Sequence, residues 1–295
     1  AAGIAQGGEF RVNTTTADNQ VYPSVAMDAA GNYTVAWMSR NQDGSGFGVY
    51  AQRYNAAGVA QGSEFRVNAT TASDQFYPSV AMDAAGNFAV TWMSDNQDGS
   101  SWGVYAQRYN AAGIAQGGEF RVNTTTANDQ IYPSVAMDAA GNFAVTWMSF
   151  NQDGSGYGIY GQRYNAAGIA RGGEFRVNTT TANDQIYPSV AMDAAGNYSV
   201  AWMSLNQDGS VWGIYAQRYS GCTPVDVMPP DTTILTGPTG TVSSNSAAFT
   251  FESTETPSTF ECALDGGAFA ACTSPQNYTG LAEGSHTFAV RATDA

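Results

Sequence analysis

The sequence predicts an all-β protein with a long repeat region and a smaller β-domain, on three observations. The string Glu-Phe-Arg-Val-Asn begins at Glu9, Glu64, Glu119 and Glu174, so one unit recurs every 55 residues up to position 220. Val, Thr, Tyr, Phe and Trp recur between clusters of Gly, Asn, Asp and Ser, which is typical of strands and turns. After position 220 the repeat stops, and short strand-like runs continue. Self-similarity at this period indicates units that bury a core by packing on their neighbours.

Each unit contains four strand-like runs. Apolar and polar positions alternate within them, as Val21, Val25 and Met27 show, and this period of two is that of a β-strand. The run Asp28 to Asn32 has Gly where a hairpin turn needs a left-handed residue, so the first two strands should form a hairpin. In the first copy the four runs are Val21 to Asp28, Asn32 to Ser39, Gly48 to Tyr54 and Glu64 to Asn68.

The number of strands favours a closed ring. The chain opens with a lone fourth strand, Glu9 to Asn13, and the repeat region ends on a third strand, Gly213 to Tyr219. If the first segment pairs with the last, every sheet has four strands and no edge is left free. We therefore predict a four-bladed β-propeller over residues 1–220, closed by this pairing, and keep an open array of the same units as the alternative.

The repeat resembles the blades of sialidase-like propellers in secreted bacterial proteins. The resemblance rests on Tyr-Pro-Ser-Val-Ala-Met-Asp, Ala-Ala-Gly-Asn, Val-Ala-Trp and Val-Tyr-Ala-Gln-Arg-Tyr, and it covers residues 1–220. It implies the blade fold. The Asp-box of that family, Ser-x-Asp-x-Gly-x-Thr-Trp, is not matched by Asn41 to Ser45, so the resemblance implies no sialidase activity.

A Pro-rich linker over residues 221–230 separates the repeats from a second domain at 231–295. Cys262 and Cys272 lie ten positions apart across a Gly-Gly turn, which favours a hairpin disulfide and an oxidising compartment. Cys222 is left over, either free or linked to another chain. The strings around Phe260 and His286 are similar to bacterial immunoglobulin-like or fibronectin-like modules, which implies a β-sandwich. It ends one strand short, so either it is truncated or a neighbouring molecule donates the strand.

Composition excludes several classes of function. The net charge is -14, from 25 acidic against 11 basic residues, and every base is Arg. Such a surface repels phosphate backbones and anionic lipids, so we expect no nucleic-acid binding. No stretch is long or apolar enough to span a bilayer, so we expect no membrane insertion. The lack of Lys excludes a Schiff base or a P-loop. With one histidine, His286, the Ser and Cys side chains lack a general base, and four near-equal environments do not separate the pKa values of paired acids.

The loop between the second and third strands carries the candidate binding residues. Its Ser-x-Asn-x-Asp-Gly-Ser spacing resembles that of a calcium-binding loop, but each loop has only one carboxylate. We therefore expect an Asx-type turn and keep calcium binding as the alternative. The residue before Asn-Gln-Asp-Gly varies between copies, whereas an aromatic ring always lies four positions after the Asp. These pairs form a ligand-reading face, with rings that stack on sugars, or the rings pack beneath the loop. The variable residues are Arg40, Asp95, Phe150 and Leu205, and the rings are Phe47, Trp102, Tyr157 and Trp212.

The sequence therefore predicts a secreted or cell-surface, non-catalytic protein with a structural or adhesive role. Four equivalent faces would give avidity to a surface glycan or protein from weak single contacts. The alternatives are a lectin-like or sialidase-like propeller and a subunit that self-associates into an extracellular filament by strand donation.

Overall fold

The computed structural model describes residues 3–221, 230–254 and 258–294, and every regular element within them is a β-strand. The predicted all-β class is confirmed. The chain divides into two compact units, Ala1–Cys222 and Thr223–Ala295, called here the repeat domain and the tail domain. The predicted linker and Cys222 lie largely outside the described residues. No helix among the described residues is long and apolar enough to cross a bilayer.

The repeat domain consists of antiparallel sheets arranged like propeller blades, each following the order of its strands in the chain. Sheet 1 comprises β1 (Gln20–Met27), β2 (Tyr33–Arg40), β3 (Phe47–Tyr54) and β4 (Phe65–Arg66). Sheet 2 comprises β5 (Gln75–Met82), β6 (Phe88–Asp95), β7 (Trp102–Tyr109) and β8 (Phe120–Arg121). Sheet 3 comprises β9 (Gln130–Met137), β10 (Phe143–Phe150), β11 (Tyr157–Tyr164) and β12 (Phe175–Arg176). Sheet 4 has three strands, β13 (Gln185–Met192), β14 (Tyr198–Leu205) and β15 (Trp212–Tyr219).

The predicted hairpin turn forms between the first two strands of each sheet. In sheet 1 the Asp28 carboxylate accepts the N–H groups of Ala30 and Asn32, each at 2.8 Å, and the Asn32 side-chain amide at 2.7 Å. Gly31 takes a φ of 88°, in the left-handed region that a residue without Cβ enters at little cost. The turn is therefore fixed by its own sequence.

The hydrophobic core lies between successive sheets. The first strands pack in series, β1 on β5, β5 on β9 and β9 on β13. Between sheets 1 and 2, for example, Ala36, Val49 and Ala51 of one sheet pack against Val90 and Trp92 of the next, and all five are fully buried or nearly so. Each sheet thus buries one face against its successor, as the period-two pattern requires.

The predicted ring closure is wrong. Among the described residues β15 pairs only with β14, and Glu9–Asn13 forms no strand. The leading segment, Glu9–Asn13, instead lies beside sheet 1, where the Tyr54 hydroxyl donates to the Val12 carbonyl at 3.3 Å and the Phe10 ring lies 5.4 Å from that of Tyr54. Closure requires sheets 1 and 4 to meet, and they do not: Val25 and Ile214 on their outer faces are 63% and 76% exposed. The four sheets form an open row.

The tail domain contains two three-stranded sheets. One has the order β16 (Thr232–Thr236), β17 (Ser246–Ser253), β20 (Gln276–Thr279), and the other β19 (Ala270–Cys272), β18 (Ser258–Leu264), β21 (Phe288–Asp294). The predicted Cys262–Cys272 disulfide is present, with the two Cα atoms 5.8 Å apart. It joins β18 to β19, and Phe251, Phe260 and Phe288 pack around the centre of the domain.

Candidate functional site: the borders between the sheets

The loop-end rings lie at the borders between sheets rather than on a free surface. The Phe47 ring centroid is 5.3 Å from that of Phe76, in the first strand of the next sheet, and Phe76 stacks in turn on Trp102 at 5.2 Å. Phe47, Trp102 and Tyr157 are each half-buried, whereas Trp212, which has no following sheet, is 40% exposed. The Phe47 and Trp102 rings therefore pack on Phe76, while a ligand-binding role for the loop-end rings stays a prediction.

The four variable residues before the Asn-Gln-Asp-Gly loops have different surroundings. Arg40 lies 6.0 Å from the centroid of Phe47, and the ring of Phe150, which is 40% exposed, lies 5.1 Å from that of Tyr157. Asp95 accepts a hydrogen bond from the side chain of its neighbour Asn96 at 2.8 Å. Leu205 is half-buried. The structure therefore brings each variable residue next to its loop-end ring in the β-ladder, as Arg40↔Phe47 and Phe150↔Tyr157 illustrate.

The loop itself is held by its own hydrogen bonds. Asn41 takes a φ of 57° and its N–H donates to the Gly46 carbonyl at 2.6 Å, while the Asp43 carboxylate accepts the Ser45 N–H at 3.2 Å. These are the contacts of an Asx-type turn. The described residues contain no group of three or more His, Cys, Asp or Glu side chains that could hold a metal ion. Calcium stays an untested alternative for this loop, and a melting temperature that a chelator lowers would support it.

At the first two borders, and between sheet 1 and the leading segment, a glutamate joins three segments of the chain, and sequence reasoning missed it. Glu119 accepts the Ala69 N–H at 2.6 Å, the Thr70 hydroxyl at 3.0 Å and the side-chain amide of Gln97. Glu64 does the same for Thr14 and Gln42, and Glu174 for Thr124 and Gln152. The signal was present in the sequence, since a Glu and a loop Gln recur at fixed positions in every unit. Their pairing joins residues 22 and 50 positions apart, which no local pattern shows.

A row of tyrosines runs along the first strands of the four sheets. Neighbouring ring centroids lie 4.7, 4.6 and 5.0 Å apart, and each tyrosine precedes a proline and takes a φ between 52° and 56°. A positive φ is strained for a bulky residue and coincides here with the register shift in each first strand. Hydrogen bonding to Tyr132 raises the pKa of Tyr77, and hydrogen bonding to Tyr77 raises that of Tyr22. The members of this row are Tyr22, Tyr77, Tyr132 and Tyr187.

The acidic groups with shifted pKa values are shifted downward. Burial opposes ionisation of Asp28, yet its hydrogen bonds from Asn32, Ala30 and Gly31 outweigh burial and lower its pKa. The Asn197 side chain is the main cause of the lowered pKa of Asp193 in the equivalent turn. In the tail domain Asp265 accepts from His286 at 2.7 Å, which lowers the pKa of the acid, while the Ala282 carbonyl and then Asp265 raise that of the histidine. These groups serve as structural acceptors and donors.

Two repeated clefts lie at the first two borders between sheets. One, of about 230 Å³, is lined by Asp28, Tyr33, Arg53 and Gln61, among others, and its counterpart of about 450 Å³ by Asp83, Phe88, Arg108 and Gln116. In both, the arginine crosses the border: Arg53 donates to the Ala112 carbonyl and Arg108 to the Ala166 carbonyl, the latter at 3.0 Å. In both clefts the arginine is therefore engaged in a hydrogen bond between neighbouring sheets.

Comparison with known proteins finds likeness in structure but not in sequence. No family model matches the chain, and no curated protein matches it. Similar solved structures include an endo-arabinase from Bacteroides thetaiotaomicron, at 14% identity and a TM-score of 0.43, over 72% of this chain and 80% of that one. An alpha-L-arabinanase from Penicillium chrysogenum complexed with arabinobiose has 11% identity and a TM-score of 0.45, over 66% and 56%. An alpha-L-arabinofuranosidase of Fusarium graminearum with arabinobiose has 10% identity and a TM-score of 0.41, over 78% and 77%. We draw nothing about activity from likenesses at this level.

Proposed function

We propose that this chain is a secreted or cell-surface protein with a non-catalytic, structural or adhesive role. The observation that supports this most is how the recurring polar side chains are used. Glu119, Arg108 and Tyr109 each bond across a border between sheets. Side chains engaged in this way stabilise a row of sheets and are not free to act on a substrate.

The acidic side chains also support a non-catalytic role. Glycoside hydrolysis in its common form needs one carboxylic acid with a raised pKa to protonate the leaving group. The pKa values of Asp28 and Asp193 are lowered instead, by hydrogen bonds within their own turns. The same turn recurs in each sheet, with Asp83 and Asp138 holding Asn87 and Asn142 at 2.7 Å.

The compartment is part of the same proposal. A disulfide between Cys262 and Cys272 persists most readily where the surroundings are oxidising, as outside the cell. The strong negative charge, -14 over the chain, favours solubility and disfavours nucleic acids as partners.

A hydrolysis assay tests the non-catalytic role. The purified chain would be incubated with arabinan, xylan and sialylated oligosaccharides, with release of reducing ends or sialic acid as the readout and a heat-denatured sample as the control. We expect no release above that control. Turnover that saturates with substrate and is abolished by Asp138→Asn, but not by Asp193→Asn, would overturn the proposal.

A second candidate function, carbohydrate binding, is favoured by the exposed ring of Phe150 beside Tyr157. The two rings lie 5.1 Å apart and are tilted by 57°, and the exposed Phe150 ring offers its face for a sugar to stack on. A glycan array with the wild type and Phe150→Ala tests it, with Ile169→Ala, at an exposed apolar residue elsewhere on the domain, as the control. Saturable binding lost only in Phe150→Ala would support a lectin-like role, and equal signals from all three chains would count against it.

A further inference from the structure

The first two borders between sheets have the same contacts, and the third repeats their ring pair with Phe175 on Tyr219 at 5.6 Å. The phenylalanine of each fourth strand packs on a tyrosine of the next sheet, Phe65 on Tyr109 at 5.3 Å and Phe120 on Tyr164 at 5.4 Å. The tyrosine hydroxyl donates to a carbonyl just after that strand, at 3.2 Å from Tyr109 to Val67 and 3.3 Å from Tyr164 to Val122. A border of this kind is therefore a reproducible interface of the repeat.

The outer face of sheet 4 corresponds to the faces by which sheets 1 to 3 pack on the next sheet, but no described sheet covers it. Ile214 is 76% exposed, whereas its counterparts Val49, Val104 and Ile159 are fully buried. Sheet 4 also lacks a fourth strand among the described residues. The chain that follows cannot supply the usual one, because the 55-residue period places Pro229, Pro230 and Asp231 where Glu, Phe and Arg stand in the other copies. Proline has no N–H for the ladder.

The leading segment corresponds to the fourth strand that such a border needs. It carries the same Glu-Phe-Arg-Val-Asn string as the fourth strands, and it already contacts sheet 1 as they contact the sheet after them, through Phe10 and Val12. Yet it pairs with no sheet of its own chain. Val25 of β1 is 63% exposed, whereas its counterparts Val80, Val135 and Val190 are at most 8% exposed.

We propose that the leading segment of one copy completes sheet 4 of a second copy, so that two chains join head to tail through a fourth border. The three internal fourth strands fix the register. Tyr50 pairs with Arg66, Tyr105 with Arg121 and Tyr160 with Arg176, so Tyr215 pairs with Arg11 of the second copy, and Ala216 with its Phe10. This assembly is heterologous and uses different surfaces on the two chains.

The side-chain contacts of the internal borders carry over to this one. Glu174 binds Thr124, which follows the preceding fourth strand, and Gln152 of the loop. The equivalent partners for Glu9 are Thr179 and Gln207 of the other copy. Glu9 and Thr179 are both exposed in the single chain. Completion of sheet 4 buries Ile214 and Ala216 against the outer face of sheet 1, which supplies the hydrophobic driving force.

Disulfide trapping tests the register and distinguishes joining between chains from closure within one. Two chains would be prepared in a Cys222→Ser background, one with Arg11→Cys and one with Tyr215→Cys, because directly opposite residues lie within disulfide range. We expect mixing under mild oxidation to give a disulfide-linked dimer. A mixture of Arg11→Cys with Gln217→Cys, two positions along β15, is the off-register control and should link far less. A chain carrying both Arg11→Cys and Tyr215→Cys that links only within itself would overturn the proposal.

Sedimentation velocity over a concentration series tests the association without cysteines. The repulsion between chains of charge -14 opposes docking, so the measurement belongs at about 0.15 M salt or above, where the Debye length is about 8 Å or less. We expect the wild type to form dimers or longer chains as concentration rises, and Ile214→Asp to weaken this at least tenfold. Ile114→Asp, at a residue 62% exposed in a turn, is the matched control and should associate like the wild type. A wild type that stays monomeric at the highest concentration, or equal association by both variants, would contradict the proposal.

Discussion

At the scale of single residues, the contacts that hold the repeat domain together are polar as well as apolar. The border glutamates accept from backbone N–H, hydroxyl and amide donors at once, and such charge-assisted hydrogen bonds are about twice as strong as neutral ones. Glu9 has no such partner among the residues that the structure describes, so a substitution there is a control for the energy of the border contact.

Glu119→Gln should lower the free energy of unfolding by about 1–2 kcal/mol, because the charge is lost while its donors stay in place. Urea denaturation followed by tryptophan fluorescence measures this, and all six tryptophans lie in the repeat domain. Glu9→Gln should change it by less than about 0.5 kcal/mol at a concentration where the chain is monomeric. Equal effects of the two substitutions would mean that the border contact contributes nothing.

Tyrosine ionisation gives a prediction about alkaline pH. Burial raises the pKa of Tyr105 to about 12, with a further rise from Asp98 that Arg121 partly opposes, and burial raises the pKa of Tyr109 and Tyr164 as well. In the unfolded chain these phenols titrate near 10. Between pH 10 and 12 the unfolded state therefore binds fewer protons than the folded state, and stability falls as pH rises.

Absorbance at 295 nm measures this titration directly. The wild type should retain a fraction of tyrosines that ionise above pH 11, and Tyr105→Phe should reduce that fraction by one residue. A spectrum in which all tyrosines of the folded chain titrate together near pH 10 would contradict the burial of these rings.

At the scale of elements, the short fourth strands contribute through one ring each. Phe120 lies edge-on to Tyr164, which stacks on Phe143 with ring centroids 4.8 Å apart. A strand of two residues has few ladder hydrogen bonds, so the aromatic cluster and the hydrogen bond from Tyr164 to Val122 hold it against the next sheet.

Phe120→Ala should destabilise the repeat domain by about 2–3 kcal/mol, the upper range for truncating a buried ring being about 3–5 kcal/mol. Phe10→Ala is the matched control, since Phe10 occupies the same position in the repeat but is 52% exposed. Its effect should be at most half as large. A larger loss from Phe10→Ala in a monomeric sample would show that the leading segment is more tightly packed than β8.

At the scale of the whole molecule, an open row has two unequal ends. In a repeat array each sheet is stabilised by its neighbours, so sheets 2 and 3 gain from two borders and sheets 1 and 4 from one. The exposure of Ile214, against full burial of Ile159 one repeat earlier, is the local sign of this difference.

Hydrogen exchange read by mass spectrometry should therefore show faster exchange in peptides from β15 than in those from β7 and β11. The backbone of a strand with one bonded neighbour opens at lower free energy than that of a strand bonded on both sides. At concentrations that favour association, the β15 peptides should become protected. Uniform protection of β7, β11 and β15 in dilute monomer would contradict the open row.

Much of the site was within reach of the sequence, and the rest depended on distant pairings. The turn residues and the cysteine pair were predicted correctly, because each is defined by neighbours in the chain or by a short separation, whereas a binding role for the loop-end rings stays a prediction. The glutamate contacts and the tyrosine row were missed. Glu119 meets Ala69 across 50 positions, and the positive φ of the tyrosines arises where a proline interrupts the ladder of the first strand.

The sequence by itself determined the first three strands of each unit, the hairpin turns and the period of the units. These follow from local alternation, from glycines in left-handed positions and from repetition, all of which are properties of neighbouring residues. Only the tertiary structure decided between a ring and an open row. That choice depends on whether the first and last sheets meet, and no single repeat contains it because every repeat has the same pattern.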